Sequence, residues 1–598
     1  MKFSLFRLHN YGVCRNLKLR HFGHATLYRN AESIKAKVDP RILALRDKLL
    51  YCDYLDSGNV KMGFLKRKTL EKLKFDYEEM QRYEKILRKV PDTWMSDYEQ
   101  FDDTLLNVNC YGTSDPNSNV SCVPCGGCGA LLHCKDPAIP GYLPSELFSF
   151  KNDEDLKSMT CQRCHFLKFY DTALEVKVSI EDYPKLLRVI KSKKCAIILI
   201  IDLTDFPCSI WPDLKSILHP FTPIFLVGNK VDLLPVDSPS FYENVKQRLL
   251  DTVINVTGVK RENITHVQLT SAKTGYGIEH LINKLQYKWR HKGDVYLVGC
   301  TNVGKSSMFN TLLNSDYCKV QAVDLVQRAT VSTWPGTTLN LLKFPILNPT
   351  NEKRWLRTLR LSKERLYRVQ ESYHVGKSFT KNSLKNASAD PFFEKSHRVI
   401  FRKPVLDDSR PEYKQSRWCY DTPGTIQADQ ILNLLTTDEL SLTLPQEIIT
   451  PRTFMFKPKQ TVFLAGMGRL DYLEGEHFIR WLTIIKFGIL FKHLPITMCC
   501  TTDADEVYDR LLGTSAFLIT GVNGEESVAD VVFRSGEFCW IAITPFENES
   551  VSLRAWTPEG RGIYLRCPAL LKKSVSLRGA KVHGTPMYLL GPRVYIKR

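Results

Sequence analysis

The chain has 598 residues, long enough for several domains, and its 83 Lys and Arg against 64 Asp and Glu leave a formal charge of +19 that favours a polyanionic partner. Cysteines such as Cys195, Cys300 and Cys419 sit singly in predicted strands or a loop, a placement that argues against a disulfide framework and suits a reducing compartment. The most apolar C-terminal stretch, Phe478 to Phe491, is interrupted by Arg480 and Lys486, so no transmembrane span is predicted, although peripheral attachment stays open.

Residues 1–31 contain Lys2, Arg7, Arg15, Lys18, Arg20 and Arg29, and the first acidic residue is Glu32. Interleaved with Phe3, Leu5, Phe6, Leu8, Leu17 and Leu19, these cations have the composition of a mitochondrial transit peptide, with a disordered basic arm as the rival. Residues 32–108 are predicted to form a charged helical extension, with Leu70, Leu73, Tyr77 and Met80 at helical spacing.

A zinc-finger-like module is expected over 109–175. Cys125 and Cys128, with Cys161 and Cys164, form two C-x-x-C pairs with the spacing of a closed tetrahedral Zn²⁺ site. Cys122, Cys110 and Cys134 lie close enough to compete, and a redox C-x-x-C is the alternative chemistry.

From 176 to 430 the pattern becomes buried strands that end in loops. Cys195 to Ile201 is an apolar run ending at Asp202, and Ile224 to Val227 leads to Asn229-Lys230-Val231-Asp232. The Asp232 carboxylate suits the ring N–H and amine of guanine, whereas adenine offers the wrong groups. Asn229 and Lys230 would brace the loops and cover the base. Thr265 to Leu269 leads to Ser271, Ala272 and Lys273, a loop expected to give guanine a backbone donor.

Asp294 to Val298 is followed by Gly299-Cys300-Thr301-Asn302-Val303-Gly304-Lys305-Ser306 and a predicted helix over 307–313. This strand, G-x-x-x-x-G-K-S loop and helix form a phosphate cradle. Gly299, Asn302, Val303, Gly304, Lys305, Ser306 and Ser307 are its candidate nucleotide contacts, with Lys305 reaching the β- and γ-phosphates and Ser306 ligating Mg²⁺. Pro335-Gly336-Thr337-Thr338 is the candidate first switch, with Thr338 the preferred Mg²⁺-sensing hydroxyl and Thr337 its rival. Asp421-Thr422-Pro423-Gly424 is the second, with Asp421 holding Mg²⁺ through water and the Gly424 N–H on the γ-phosphate.

Between the switches, 339–418 reads as a basic insertion. Lys353, Arg354, Arg357, Arg360, Lys363, Arg365 and Arg368 are mixed with Trp355, Leu356, Leu359, Leu361, Leu366 and Tyr367, a pattern that suits RNA phosphates and bases, or else a surface ribbon or flexible segment. Residues 431–598 form a glycine-punctuated β pattern that ends in a tail without acidic residues after Glu559, expected to bind RNA or protein.

The order of motifs is base reader, base loop, phosphate loop, first switch, second switch. It resembles the circularly permuted GTPases, and the cysteine pairs narrow the resemblance to the bacterial YqeH type and its organelle relative, the nitric-oxide-associated GTPase. The fold class expected is α/β: a permuted P-loop GTPase core, mostly parallel sheet with helices on both faces, an N-terminal zinc module and a β-rich α+β C-terminal domain. The resemblance implies binding of GTP and GDP, GTP hydrolysis and a role in small-subunit ribosome assembly. With the basic N-terminus, this places the chain in the mitochondrial matrix, with rRNA or other RNA as partner and attachment to the inner membrane open. The residue after Gly424 is Thr425, where Ras-like enzymes carry the water-orienting glutamine, so slow intrinsic hydrolysis is expected. Asn302 resembles the asparagine that helps hold K⁺ in related GTPases; K⁺ or a ribosomal surface would then supply the missing charge. An RNA-binding scaffold whose nucleotide site only regulates docking, and a redox enzyme without a haem or flavin fingerprint, are the competing functions.

Overall fold

The computed structural model describes residues 112–148, 153–169, 187–332, 336–363, 406, 410–425 and most of 449–591. The expected transit peptide, the helical extension, Cys110, Pro335 and the basic residues Arg365 and Arg368 lie outside the described residues.

Six strands form the first sheet: β1 Cys195–Asp202, β2 Ile224–Asn229, β3 Ile264–Leu269, β4 Asp294–Val298, β5 Leu342–Pro345 and β6 Trp418–Asp421, in the order β3-β2-β1-β4-β6-β5. All neighbours pair in parallel except β5 with β6, which is antiparallel. Every residue of β1 is buried, which is why its sequence is a continuous apolar run rather than an alternating one: a central parallel strand is covered on both faces. Helix Phe241–Thr257 buries Phe241, Val245, Leu249 and Val253, spaced one helical turn apart, and ends at Gly258 in the left-handed conformation (φ +63°) that favours glycine. Parallel registration brings the carboxyl ends of β1, β2, β3, β4 and β6 to one edge, where the motif loops emerge.

The stretch 339–418 is not wholly an insertion. Its first part supplies β5, which closes the sheet edge beside β6. A helix spans 351–363, rather than a surface ribbon. Arg357 on that helix is buried and bound to Asn283 Oδ1 at 2.7 Å, and it pairs with Glu279 and Asp316. Arg360 reaches the same Asp316 at 3.2 Å. Arg357 therefore docks this helix on the core, because a buried guanidinium must be paired, and it is withdrawn from the expected RNA contacts. Trp355 and Leu356 remain exposed.

After residue 449 the chain is built from strands: β7 Arg452–Phe456, β8 Gln460–Leu464, β9 Gly468–Glu474, β10 Ile479–Lys486, β11 Thr497–Cys500, β12 Leu511–Gly513, β13 Phe517–Thr520, β14 Ala529–Phe533, β15 Cys539–Thr544, β16 Ser550–Pro558 and β17 Ile563–Arg566. They form a five-stranded sheet, β17-β14-β15-β10-β7, and a six-stranded one, β11-β8-β9-β16-β12 with β13 paired to β16. Phe456 of the first sheet meets Tyr472 of the second with ring centroids 5.7 Å apart, so the two share a core. Among the described residues of this part there is no α-helix, only a 3₁₀ turn at Ser574–Leu577, so the α component expected here is not found in them.

The C-terminal part is fastened to the sheet-edge loops beside the base reader. Ile449 N donates to Leu233 O at 3.0 Å, and Lys573 N and Ser576 Oγ both donate to Asp237 at 2.8 Å. Arg566 Nε donates to Asp530 Oδ2 at 2.8 Å, its Nη1 donates to Phe206 O in the loop after β1, and its guanidinium lies 5.1 Å from the Trp540 ring centroid. The covalent link from the second switch, 426–448, lies outside the described residues.

Candidate functional site

The phosphate loop joins β4 to helix Lys305–Leu313, and glycine is required where it turns. Gly304 has φ +92°, and a Cβ there would come 2.4 Å from Asn229 Nδ2. Asn302, at φ +62°, tolerates the left-handed region better than most residues. Lys305 Nζ folds back on Cys300 O at 2.6 Å; burial lowers its pKa, against the opposing pull of Asp421.

Asn229 ties the base-reading loops to this cradle. Its Nδ2 donates to Val303 O at 2.8 Å and its Oδ1 accepts from Ala272 N at 3.0 Å. Lys230, left-handed at φ +64°, is ion-paired to Asp202 at 2.6 Å. The second Asp202 oxygen accepts from Thr204 N and Oγ1 at 2.8 and 2.6 Å. Asp202 is a site residue to which sequence reading assigned no role, although a carboxylate ending an otherwise apolar strand was a visible signal. Asp232 and Lys273 face the same cavity of about 480 Å³, which also meets Ser307, Thr337 and Thr338, a volume in the range of a nucleotide-sized ligand.

Three oxygens converge at the phosphate end. Ser306 Oγ lies 2.8 Å from Asp421 Oδ2 and 2.9 Å from Thr338 Oγ1, which itself lies 3.1 Å from Asp421 Oδ2. Asp421 is fully buried and its Oδ1 has no hydrogen-bond partner among the described residues. Burial raises its pKa to about 6, against the opposing effects of Lys305, Ser306 and Thr338. A buried carboxylate with two hydroxyls at hand fits a hard divalent cation, and such a cation would supply the charge that burial withholds. Gly424 is confined by Lys305 Nζ, which an added Cβ would approach to 2.8 Å, and by Thr301 Cα at 2.9 Å. Thr425 turns inward: its N–H and C=O bridge to Gly299 and Thr301, and its hydroxyl donates to Cys300 Sγ at 3.6 Å. It thus has neither the side chain nor the direction to orient a water.

Cys125, Cys128, Cys161 and Cys164 are buried with all four sulfurs within 4.8 Å of one another. Cys125 Sγ is 3.9 Å from Cys164 Sγ, and Cys128 Sγ is 3.7 Å from Cys161 Sγ. A tetrahedral ion bound at about 2.3 Å requires sulfur edges of about 3.8 Å, so the donor set fits. The neighbouring Cys125 and burial push the Cys128 and Cys164 thiols up, while hydrogen bonds from Cys128, Cys161 and Cys164 pull the Cys125 pKa down. Ionising all four needs a cation among them. Their burial denies an external thiol or disulfide the approach that exchange requires. Cys122 is exposed, and Cys134 bonds to Ser118 Oγ at 2.9 Å instead of joining the cluster.

Fold and site together define a protein of the P-loop nucleotide-binding class. The family described as "50S ribosome-binding GTPase" matches residues 294–356. Nitric oxide-associated protein 1 of Homo sapiens is 34% identical over 560 residues, 80% of this chain and 79% of that protein. YqeH of Bacillus subtilis, itself described as uncharacterized, is 27% identical over 399 residues, 65% of this chain and 81% of that protein. NO-associated protein 1, chloroplastic/mitochondrial, of Arabidopsis thaliana is 30% identical over 237 residues, 37% of this chain and 40% of that protein. The chain belongs to the family of the nitric oxide-associated proteins and YqeH, a family of P-loop GTPases whose ligands are GTP, GDP and Mg²⁺.

Proposed function

We propose that this chain is a GTP-hydrolysing assembly factor for the mitochondrial ribosome, acting on its small subunit, with a circularly permuted GTPase domain over 176–430 between a zinc module and a C-terminal domain that binds RNA or protein. The observation that carries the reading is that one cavity is lined both by Ser306 and Thr338, which converge on the buried Asp421, and by Asn229, Lys230 and Asp232. One ligand with a base and phosphates satisfies both groups. Sheet order supports the permutation: the base-reading strand β2 precedes the phosphate-loop strand β4 in sequence, yet both reach the same edge through β1.

In this reading Lys305 binds the β- and γ-phosphates, and Ser306, Thr338 and Asp421 hold Mg²⁺. Gly424 senses the γ-phosphate through its N–H. The four cysteines hold Zn²⁺. The name of the Arabidopsis relative, with its chloroplastic and mitochondrial location, supports an organelle, and the basic N-terminus favours the mitochondrion. The matching family's description concerns the large subunit, whereas the small-subunit assignment rests on the YqeH resemblance, so the two are separable by experiment.

Catalysis lacks a glutamine at Thr425, and K⁺ held beside Asn302 is proposed to supply the missing positive charge. Purified protein is expected to hydrolyse GTP and not ATP, about tenfold or more faster in KCl than in NaCl at equal ionic strength, a span of at least 1.4 kcal/mol in the barrier. Equal rates in the two salts would dismiss the K⁺ role. Equal hydrolysis of ATP and GTP would dismiss the guanine site itself.

A further inference from the structure

The four-cysteine module does not hang from the far end of the core. It grips the segment that carries the expected first switch. Thr330 N donates to Gly127 O at 3.0 Å, and Leu339 N and Asn340 N donate to Cys128 O at 2.8 and 3.1 Å. The two ends of the segment are thus hydrogen-bonded to the turn between Cys125 and Cys128. The approach is close enough to require glycine there: a Cβ at Gly127 would come 2.3 Å from Thr330 Oγ1, and one at Gly129, itself at φ +80°, would come 2.9 Å from Asn340 Cβ.

Between these ends a side chain of the same module also reaches the segment. Arg163, flanked by Cys161 and Cys164 at the start of helix Gln162–Phe169, donates from Nη2 to Gly336 O at 2.7 Å. It is 8% exposed, and its Nη1 is buried without a hydrogen-bond partner among the described residues. Gly336 lies two residues before Thr338, whose hydroxyl stands 2.9 Å from Ser306 Oγ. A buried guanidinium half-satisfied by one carbonyl costs free energy, and it is retained here against the peptide that sets where Thr338 lies.

We infer that Arg163 is a positioning residue for the first switch, through which the metal-holding turn sets how firmly the site retains a γ-phosphate. The inference rests on the GTP reading above and deepens it. The bond to Gly336 exists with Thr338 turned inward toward Ser306 and Asp421, the arrangement a triphosphate with Mg²⁺ would use. A diphosphate does not need it. Because a contact biases only the state in which it is made, losing it should weaken triphosphate binding selectively.

The test compares full-length wild type, Arg163→Ala and Arg163→Lys, measuring affinity for a fluorescent non-hydrolysable GTP analogue and for fluorescent GDP, with zinc content per chain. Arg163→Ala is expected to weaken the analogue about tenfold and GDP by less than about twofold, within the usual range of a coupling between sites, with zinc content unchanged. Arg163→Lys should recover part of the loss, since it keeps one donor. Tryptic cleavage at the exposed Arg328 should be faster in Arg163→Ala than in wild type when both hold the analogue. Equal weakening of both nucleotides, unchanged affinities, or loss of zinc would each overturn the inference, because each marks a structural role or none. Wild type without preference for guanine nucleotides would instead overturn the nucleotide reading, and this inference with it.

Discussion

Asp232→Asn is expected to exchange guanine for xanthine. In the proposed reading the wild-type carboxylate accepts from the ring N–H and the exocyclic amine of guanine, and an amide in its place would meet that amine donor to donor. Xanthine carries a carbonyl there, which the amide can serve. Sites that hydrogen-bond a substrate through buried polar groups reject the mismatched partner by about 10⁴- to 10⁵-fold, and the partly exposed Asp232 should give less, about 10²- to 10³-fold. Competition between GTP and xanthosine triphosphate in a binding assay reads this directly. Because Asn229 braces Val303 and Ala272 independently of Asp232, the cradle should stay intact and the substituted protein should bind the xanthine nucleotide well. Equal loss of both nucleotides would mean that Asp232 holds the loop rather than reads the base.

The second large effect is expected at Arg566. Asp530 is fully buried; burial raises its pKa, against the opposing pull of Arg566 and the Leu570 N–H. Arg566→Ala strands that carboxylate and also removes the donor to Phe206 O, which ties the C-terminal part to the core. Breaking a buried ion pair from one side costs about 3–5 kcal/mol. The urea midpoint of Arg566→Ala should fall accordingly, and Arg566→Ala with Asp530→Ala should recover part of it, since the orphaned charge is then gone. A change below about 1 kcal/mol would place the pair among those that contribute nothing measurable.

What could be read from the sequence follows from how local each signal is. The phosphate loop was legible because glycines, Lys305 and Ser306 sit within one strand-loop-helix unit, and β1 was legible because a central strand buried on both faces is written as uninterrupted apolar residues. The cysteine pairs were legible from spacing, and the preference for Cys125 that the family resemblance implies agrees with its burial beside the exposed Cys122. Arg357 was misread because a cation in a basic, aromatic stretch looks the same whether it faces solvent or pairs with Glu279 and Asp316, which are distant in sequence. Arg163 and Asp202 went unassigned for the same reason: their partners, Gly336 and Lys230, carry no mark that links them.

The largest revision concerns wiring. Sequence order attaches the second switch to the C-terminal domain and sets the zinc module at the other end of the core. In three dimensions the described C-terminal residues are fastened to the loops beside the base reader, through Leu233 and Asp237, while the four-cysteine module holds the segment around Thr338. In the proposed reading a change at the γ-phosphate has a direct mechanical neighbour in the four-cysteine module. The same reading gives the C-terminal domain, fastened beside the base reader, the different input of whether guanine is bound.

The central claim, a nucleotide-controlled assembly factor, is tested most directly by sedimenting mitochondrial extract through sucrose gradients with a non-hydrolysable GTP analogue or with GDP, and locating the protein against both ribosomal subunits. The account predicts migration with the small subunit in the triphosphate state and release in the diphosphate state. Migration that ignores the nucleotide, or that follows the large subunit, would contradict it.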